Sequence, residues 1–353
     1  MQFHIDIDAG SAIHGWFVPD NPSYSGRLLV KIDEEHEYEV EASFLRPDIK
    51  EGGIHPTGHV GFAVDEILAP GLKEAKTVSL VDAESRVLIY RRFSEEDHLK
   101  KKVAFFNHSI FPSAEMLNRL NAKFAMSYTF VERYPLETMA YVVRTPFSNS
   151  VLVAGRPCFN RYSTWMREAG FSIVALLKDP FEDMAERLLL LAHLSRSENS
   201  TLLATFGTGL LPLISLVKRL DFENDKQMLS LFRGASPVEK QALRNPLTRM
   251  LGCDPDEEPE RRHVSVALDN LASMDVVGTR KHYQEFRAGL AALLEVDVLG
   301  EVPAPTFAAI ESLSRRLAQM TIVTDLLEHD LALYSFAEEA IELGLEKDLK
   351  ESS

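Results

Sequence analysis

The chain has 353 residues, of which 45% are hydrophobic, enough for two domains that each bury an apolar core. Its formal charge of −15 argues against nucleic acid or an anionic membrane as the main partner, because either selects a basic face that replaces counterions.

The N-terminal MQFHIDIDAGSAIHGW lacks the basic region and apolar core of a secretory leader. No apolar run approaches the roughly 20 residues of a membrane span, so no transmembrane segment and a cytoplasmic location are expected. From about residue 3 to 92 the hydrophobic pattern has period two. In RLLVKID, Leu28, Val30 and Ile32 share a face; in EYEVEA, Tyr38, Val40 and Ala42 alternate with Glu37, Glu39 and Glu41, as half-buried strands require. The segments VPDNPSYSG, RPDIKEGGIHPTG and APG are turn material, with TVSLV and RVLIY as later strands. Residues 1–94 are therefore expected to form a small antiparallel β-sandwich. The polar run that follows places a linker at 95–102.

Residues 103–353 follow a different grammar. KVAFF, SVLVAG and SIVALL are short apolar strands, each followed by helical pattern, and SAEMLNRLNAKF is a helix with Ser113 at its N-cap position. Such alternation predicts an α/β domain built on a parallel sheet with crossover helices. From Phe181 onward the pattern is nearly all helical. TFGTGLLPLISLVKRL is interrupted by its glycines, and helices are expected around 237–250, 280–294 and 306–341. CDPDEEPERR reads as an exposed acidic loop. Cys158 and Cys253 are too few for a disulfide framework and sit in no zinc-type spacing, so two reduced thiols and no metal are expected.

The stretch VALLKDPFEDMAERLLLLAHL, residues 174–194, runs from an apolar strand through Lys178-Asp179-Pro180 into a leucine-rich helix. A helix start presents free backbone N–H groups and the positive end of the macrodipole, which together suit an anion. Pro180 fits the first helical turn, and Lys178 and Arg187 supply cations. The alternative is that Asp179 caps the helix while Lys178 is solvated.

LLKDPFEDMAERL resembles the element of the bacterial sulfotransferase superfamily in which a strand ending in Arg-Asp-Pro starts a long helix and holds the 3′-phosphate of phosphoadenosine phosphosulfate, PAPS. FVERYPLETMAYVVRTPF, residues 130–147, is similar to a Glu-[His/Arg]-Pro-Tyr-Glu segment of surface-polysaccharide sulfotransferases. LASMDVVGTRKHYQEFRAGLAALL, 271–294, and DLLEHDLALYSFAEEAI, 325–341, look like their later strand-turn-helix and their closing Asp-x-x-Leu-Tyr helix. The resemblance implies a P-loop sulfotransferase-like fold, PAPS as sulfuryl donor, and a hydroxyl of a bacterial surface glycan or glycolipid as acceptor. Lys178 and Arg187, with Asn107, Ser109 and Ser113 after the first strand and Arg280 and Lys281 after Gly278, would hold the donor. Glu132, Glu137 or His108 would take the acceptor proton. The alternatives are a polar loop histidine at 108, a structural pair of Glu132 with Arg133, and a solvated basic pair at 280–281.

The donor loop departs from its Pro-[Arg/Lys]-Ser-Gly-Thr-Thr pattern. In NHSIFPSAEML, Phe111 takes the basic place, Pro112 the serine place, Ser113 the glycine place and Glu115 a threonine place, while Glu186 replaces the phosphate-binding serine of the long helix. A carboxylate a few ångströms from a dianion is repulsive by kilocalories even at an effective dielectric of about 20. An active donor site requires a positive hollow at the strand tips; an electronegative one fits a different role. IHGWFVPD, FLRPDIKE and GHVGFAVD look like the small β module that precedes such transferase domains. There Trp16 would stack on a sugar ring, with Arg46, Asp48 and His59 supplying hydrogen bonds, or Trp16 is a core aromatic and Arg46 with Asp48 an internal ion pair. The expected functions are thus sulfuryl transfer, a catalytically degenerate sulfotransferase fold that binds glycan or scaffolds a glycan-biosynthesis protein, or a transferase with another donor.

Overall fold

In the structure, a computed structural model, residues 1–21, 25–33, 35–92, 98–110, 114–144, 148–196, 210–300 and 307–351 are described, with side chains to residue 345. Contacts divide the chain into two units. One comprises Met1–Lys102, Leu120–Thr129 and Tyr134–Val153; the other comprises Val103–Arg119, Phe130–Arg133 and Ala154–Ser353.

The amino-terminal part carries strands β1 (Gln2–Asp8), β2 (Ala12–Val18), β3 (Arg27–Ile32), β4 (His36–Glu41) and β5 (Phe44–Leu45), helix α1 (Pro47–Glu51), and strands β6 (His59–Asp65), β7 (Val78–Asp82) and β8 (Leu88–Arg92). They form two four-stranded antiparallel sheets, β1-β2-β6-β5 and β4-β3-β7-β8. Leu28, Val30 and Ile32 of β3 are buried, while Glu37, Glu39 and Glu41 of the edge strand β4 face solvent. Glu39 pairs with Arg27 and Glu37 with Lys31, and such a charged edge resists pairing with another chain. The two sheets are joined at Asp8 of β1, which accepts from Tyr90 Oη and from Nε and Nη2 of Arg92, both on β8.

The remaining elements are β9 (Lys102–Asn107), α2 (Ala114–Asn121), β10 (Met126–Thr129), a 3-10 turn at Val131–Arg133, α3 (Leu136–Arg144), β11 (Val151–Gly155), α4 (Phe159–Glu168), β12 (Ser172–Leu177) and α5 (Pro180–Arg196). These are followed by α6 (Leu211–Arg219), α7 (Asp225–Gly234), α8 (Pro237–Leu243), α9 (Pro246–Gly252), α10 (Arg261–Ala272), β13 (Val276–Thr279), α11 (Tyr283–Leu294), α12 (Ala308–Leu317), α13 (Thr321–Leu326) and α14 (Glu328–Glu351). Five strands make a sheet in the order β10-β11-β9-β12-β13. β12 pairs in parallel with β9 on one side and β13 on the other, so the carboxyl ends of all three lie together. At Gly278 of β13 a Cβ would meet the Phe286 side chain of α11, so the missing side chain lets that helix lie close to the strand.

Helix α5 is buried on most of its circumference. Met184, Leu188 and Leu191 pack in one apolar cluster with Leu213 and Leu216 of α6, Phe232 of α7, Leu313 of α12 and Val323 of α13. Each such side chain contributes about 1.5–3 kcal/mol by leaving water. The helical stretch expected at 306–341 is three helices, α12 to α14, and that at 237–250 is two, because Asn245 adopts a left-handed conformation (φ 46°) between α8 and α9. Asn245 Oδ1 accepts from the backbone N–H groups of His329 and Asp330, while Asp330 accepts from those of Leu247 and Thr248. The first turns of α9 and α14 therefore cap one another.

Candidate functional site

Open parallel sheets present ligand sites at the carboxyl ends of their strands, where loops and helix starts converge. Here β9 delivers Asn107, His108 and Ser109, β11 delivers Arg156, β12 delivers Lys178 and β13 delivers Arg280 and Lys281. Helix α5 brings Glu182, Asp183, Glu186 and Arg187 to the same end, because residues three and four apart share a helix face. The α5 N-terminus is filled from within the chain. Asp179 Oδ1 accepts from the N–H groups of Phe181 and Glu182 at 2.9 and 3.0 Å, and burial raises its pKa.

Lys178 is 1% exposed and its ammonium donates to Glu186 Oε2. The other oxygen of Glu186 accepts from Ser109 Oγ at 2.5 Å. Burial pushes the Lys178 pKa down, and Glu186 opposes that shift. Arg187 Nε donates to Asp183 Oδ2 at 2.5 Å, within α5. Burial alone would raise the Asp183 pKa, but Arg187, His108 and Lys178 outweigh it and hold the carboxylate below its usual range. Arg156 donates to Glu132 through both its backbone N–H, 2.9 Å, and Nη2, 3.4 Å; burial lowers its pKa. Gly155 makes room for that pair, since a Cβ there would collide with the Glu132 carboxylate and lie 2.8 Å from Val131 N.

The outer cations are matched as well. Arg280 Nη1 lies 3.7 Å from Glu182 Oε2, and Lys281 Nζ donates to Glu342 Oε1 at 2.8 Å. Lys178, Arg187, Arg156, Arg280 and Lys281 thus each meet a carboxylate of the same unit. A phosphate bound at any of them would compete with that carboxylate.

His108 is buried beside the network, with Nε2 3.8 Å from Asp183 Oδ2. Burial lowers its pKa to about 4, with Arg187, Arg156 and Lys178 adding to the shift and Asp183 opposing it, so the ring is neutral at pH 7. Among the described residues neither ring nitrogen has a hydrogen-bond partner, and the same holds for Asn107 Nδ2 and Asp183 Oδ1. Asn107 Oδ1 accepts from the Ser109 N–H at 3.1 Å, shaping the strand-end turn.

Glu137 is exposed in the first turn of α3, on the other unit. Phe111, Pro112 and Ser113 lie outside the described residues. Glu115 is exposed at the start of α2 and pairs with Arg119 at 3.0 Å. Trp16 packs with Ile49 and Val60 at 8% exposure, Arg46 pairs with both Asp48 and Asp6, and His59 is exposed with Nδ1 3.0 Å from the Ser43 carbonyl. Asp183, Arg156 and Glu182 escaped the sequence reading. The signal for Asp183 was its spacing, one turn before Arg187.

Fold and site together define an α/β protein with a parallel sheet, antiparallel sheets at the amino-terminal end, and a buried cluster of paired charges at the strand ends. No known protein family matches the chain, and no curated protein matches it either. Among the described residues no helix is long and apolar enough to cross a membrane, and no group of three acidic, histidine or cysteine side chains is placed to hold a metal.

Proposed function

We propose that this chain is a sulfotransferase-like protein whose donor site is closed, and that it acts by binding, as a glycan-binding or scaffolding partner in surface-glycan synthesis. One observation carries the reading: Lys178, the cation expected to hold a donor phosphate, is buried against Glu186. PAPS is polyanionic, so binding it at this turn would require Glu186 to move away from Lys178. Separating such a buried pair costs roughly 3–5 kcal/mol, which is most of the binding energy of a millimolar ligand. Sulfuryl transfer depends on positioned cations, and here each already has a carboxylate of the chain beside it.

The test is calorimetric titration of the whole chain with phosphoadenosine phosphate. No saturable binding at millimolar nucleotide is expected, and Glu186→Ser should create weak binding by releasing Lys178. Micromolar binding to the unaltered chain, lost in Lys178→Met, would overturn the reading. A transferase with a different donor is the second reading, favoured by polar atoms of Asn107, His108 and Asp183 that have no partner among the described residues and suit a polar guest of low charge. Titration with nucleotide sugars separates it from the first.

A further inference from the structure

The outer face of the β1-β2-β6-β5 sheet combines an exposed aromatic ring with a fixed polar array. Strand pairing sets His4 opposite Trp16, Trp16 opposite Gly61, and Gly61 opposite Phe44, in one row across the sheet. A Cβ on Gly61 would lie 3.2 Å from Phe44 Cβ and 3.1 Å from Arg46 Cγ, so Phe44 and Arg46 flank a notch on one face. Trp16 is committed to packing under α1, but Phe44 is 56% exposed.

Arg46 is held on both sides. Its Nη1 donates to Asp6 Oδ2 at 2.6 Å, and its Nε and Nη2 donate to the two oxygens of Asp48 at 3.0 and 2.7 Å. The Asp6 and Asp48 side chains remain 39% and 59% exposed, so they keep lone pairs toward solvent. The array is thus assembled before any ligand arrives, which spares the ordering cost of binding. One guanidinium against two carboxylates is net negative, and Arg46 is already engaged by both, which disfavours an anionic ligand. Its complement is a molecule rich in hydroxyl donors with an apolar face.

We propose that this face binds a neutral pyranose of a glycan chain, with Phe44 stacking on the C–H face of the ring and Asp6 and Asp48 accepting hydroxyl hydrogen bonds. Arg46 positions both carboxylates. The proposal rests on the binding role given above and names its site.

The whole chain is titrated by NMR with methyl glucoside, galactoside and mannoside, and with glucuronate as the anionic control. Saturable binding of at least one neutral sugar in about the millimolar range is expected, weakened about tenfold in Phe44→Ala and in Asp6→Asn. Both surface variants should melt with the unaltered chain, which separates lost binding from lost fold. No neutral sugar binding, binding indifferent to Phe44→Ala, or preference for glucuronate or an oligolysine peptide would overturn the proposal. So would a Phe44-dependent dimer in sedimentation, which would make the face an interface between copies. Absence of sugar binding together with absence of nucleotide binding would refute this site and leave the closed donor site standing.

Discussion

The ammonium of Lys178 and the carboxylate of Glu186 meet one strand end and two helical turns apart in sequence, with side chains only 1% and 4% exposed. A buried pair of this kind is marginal as a whole but costly to halve, because the partner left behind stays charged in a poor solvent.

Lys178→Met should therefore destabilise the protein by about 3–5 kcal/mol, and Glu186→Met by a comparable amount, while the double variant Lys178→Met/Glu186→Met recovers most of the loss. Urea unfolding of the four proteins measures this as a double-mutant cycle. Additive losses would mean the pair is not coupled.

His108 ties stability to acid. Unfolded, its imidazole takes a proton near pH 6.5; folded, only near about 4. The unfolded chain binds the extra proton between those values, so the contribution of His108 is complete above pH 6.5 and is lost as pH falls toward 4. It amounts to roughly 3 kcal/mol, and His108→Gln should remove it. Unfolding midpoints at pH 7.5 and 4.5 give the comparison.

Asp330 works in the opposite sense. Burial raises its pKa to about 6 despite the bonds from Leu247 and Thr248, so the folded protein holds a proton that the unfolded chain gives up near 4. Its contribution is greatest below pH 4 and is lost as pH rises through 6. Relative to the unaltered chain, Asp330→Asn should gain about 2–3 kcal/mol between pH 4 and 7, read from the same unfolding series.

Gly155→Ala should cost about 1–3 kcal/mol, because the added methyl falls on Glu132 and on the backbone of Val131. Thermal melting checks it. A stability equal to that of the unaltered chain would mean the Glu132–Arg156 pair yields freely.

Much of the scaffold was legible from local pattern. KVAFF, SVLVAG and SIVALL became β9, β11 and β12, and the alternation in RLLVKID and EYEVEA became paired antiparallel strands. β10, at Met126–Thr129, was missed: four residues with only Met126 and Tyr128 buried carry too little periodicity. At the site, Glu186 was recognised as hostile to phosphate, but its bond to Lys178 joins a strand end to the second turn of a helix. That meeting depends on how α5 packs, which no local pattern encodes. The division of the chain is similarly nonlocal, since Leu120–Thr129 and Tyr134–Val153 cluster with the first hundred residues.

Asn245 and Asp330 each hold the opening turn of the other's helix. Neither turn keeps its shelter if the other frays, so the amides of Leu247, Thr248, His329 and Asp330 belong to one cooperative opening event in hydrogen exchange. Segments more than eighty positions apart in the chain would then share a single opening free energy.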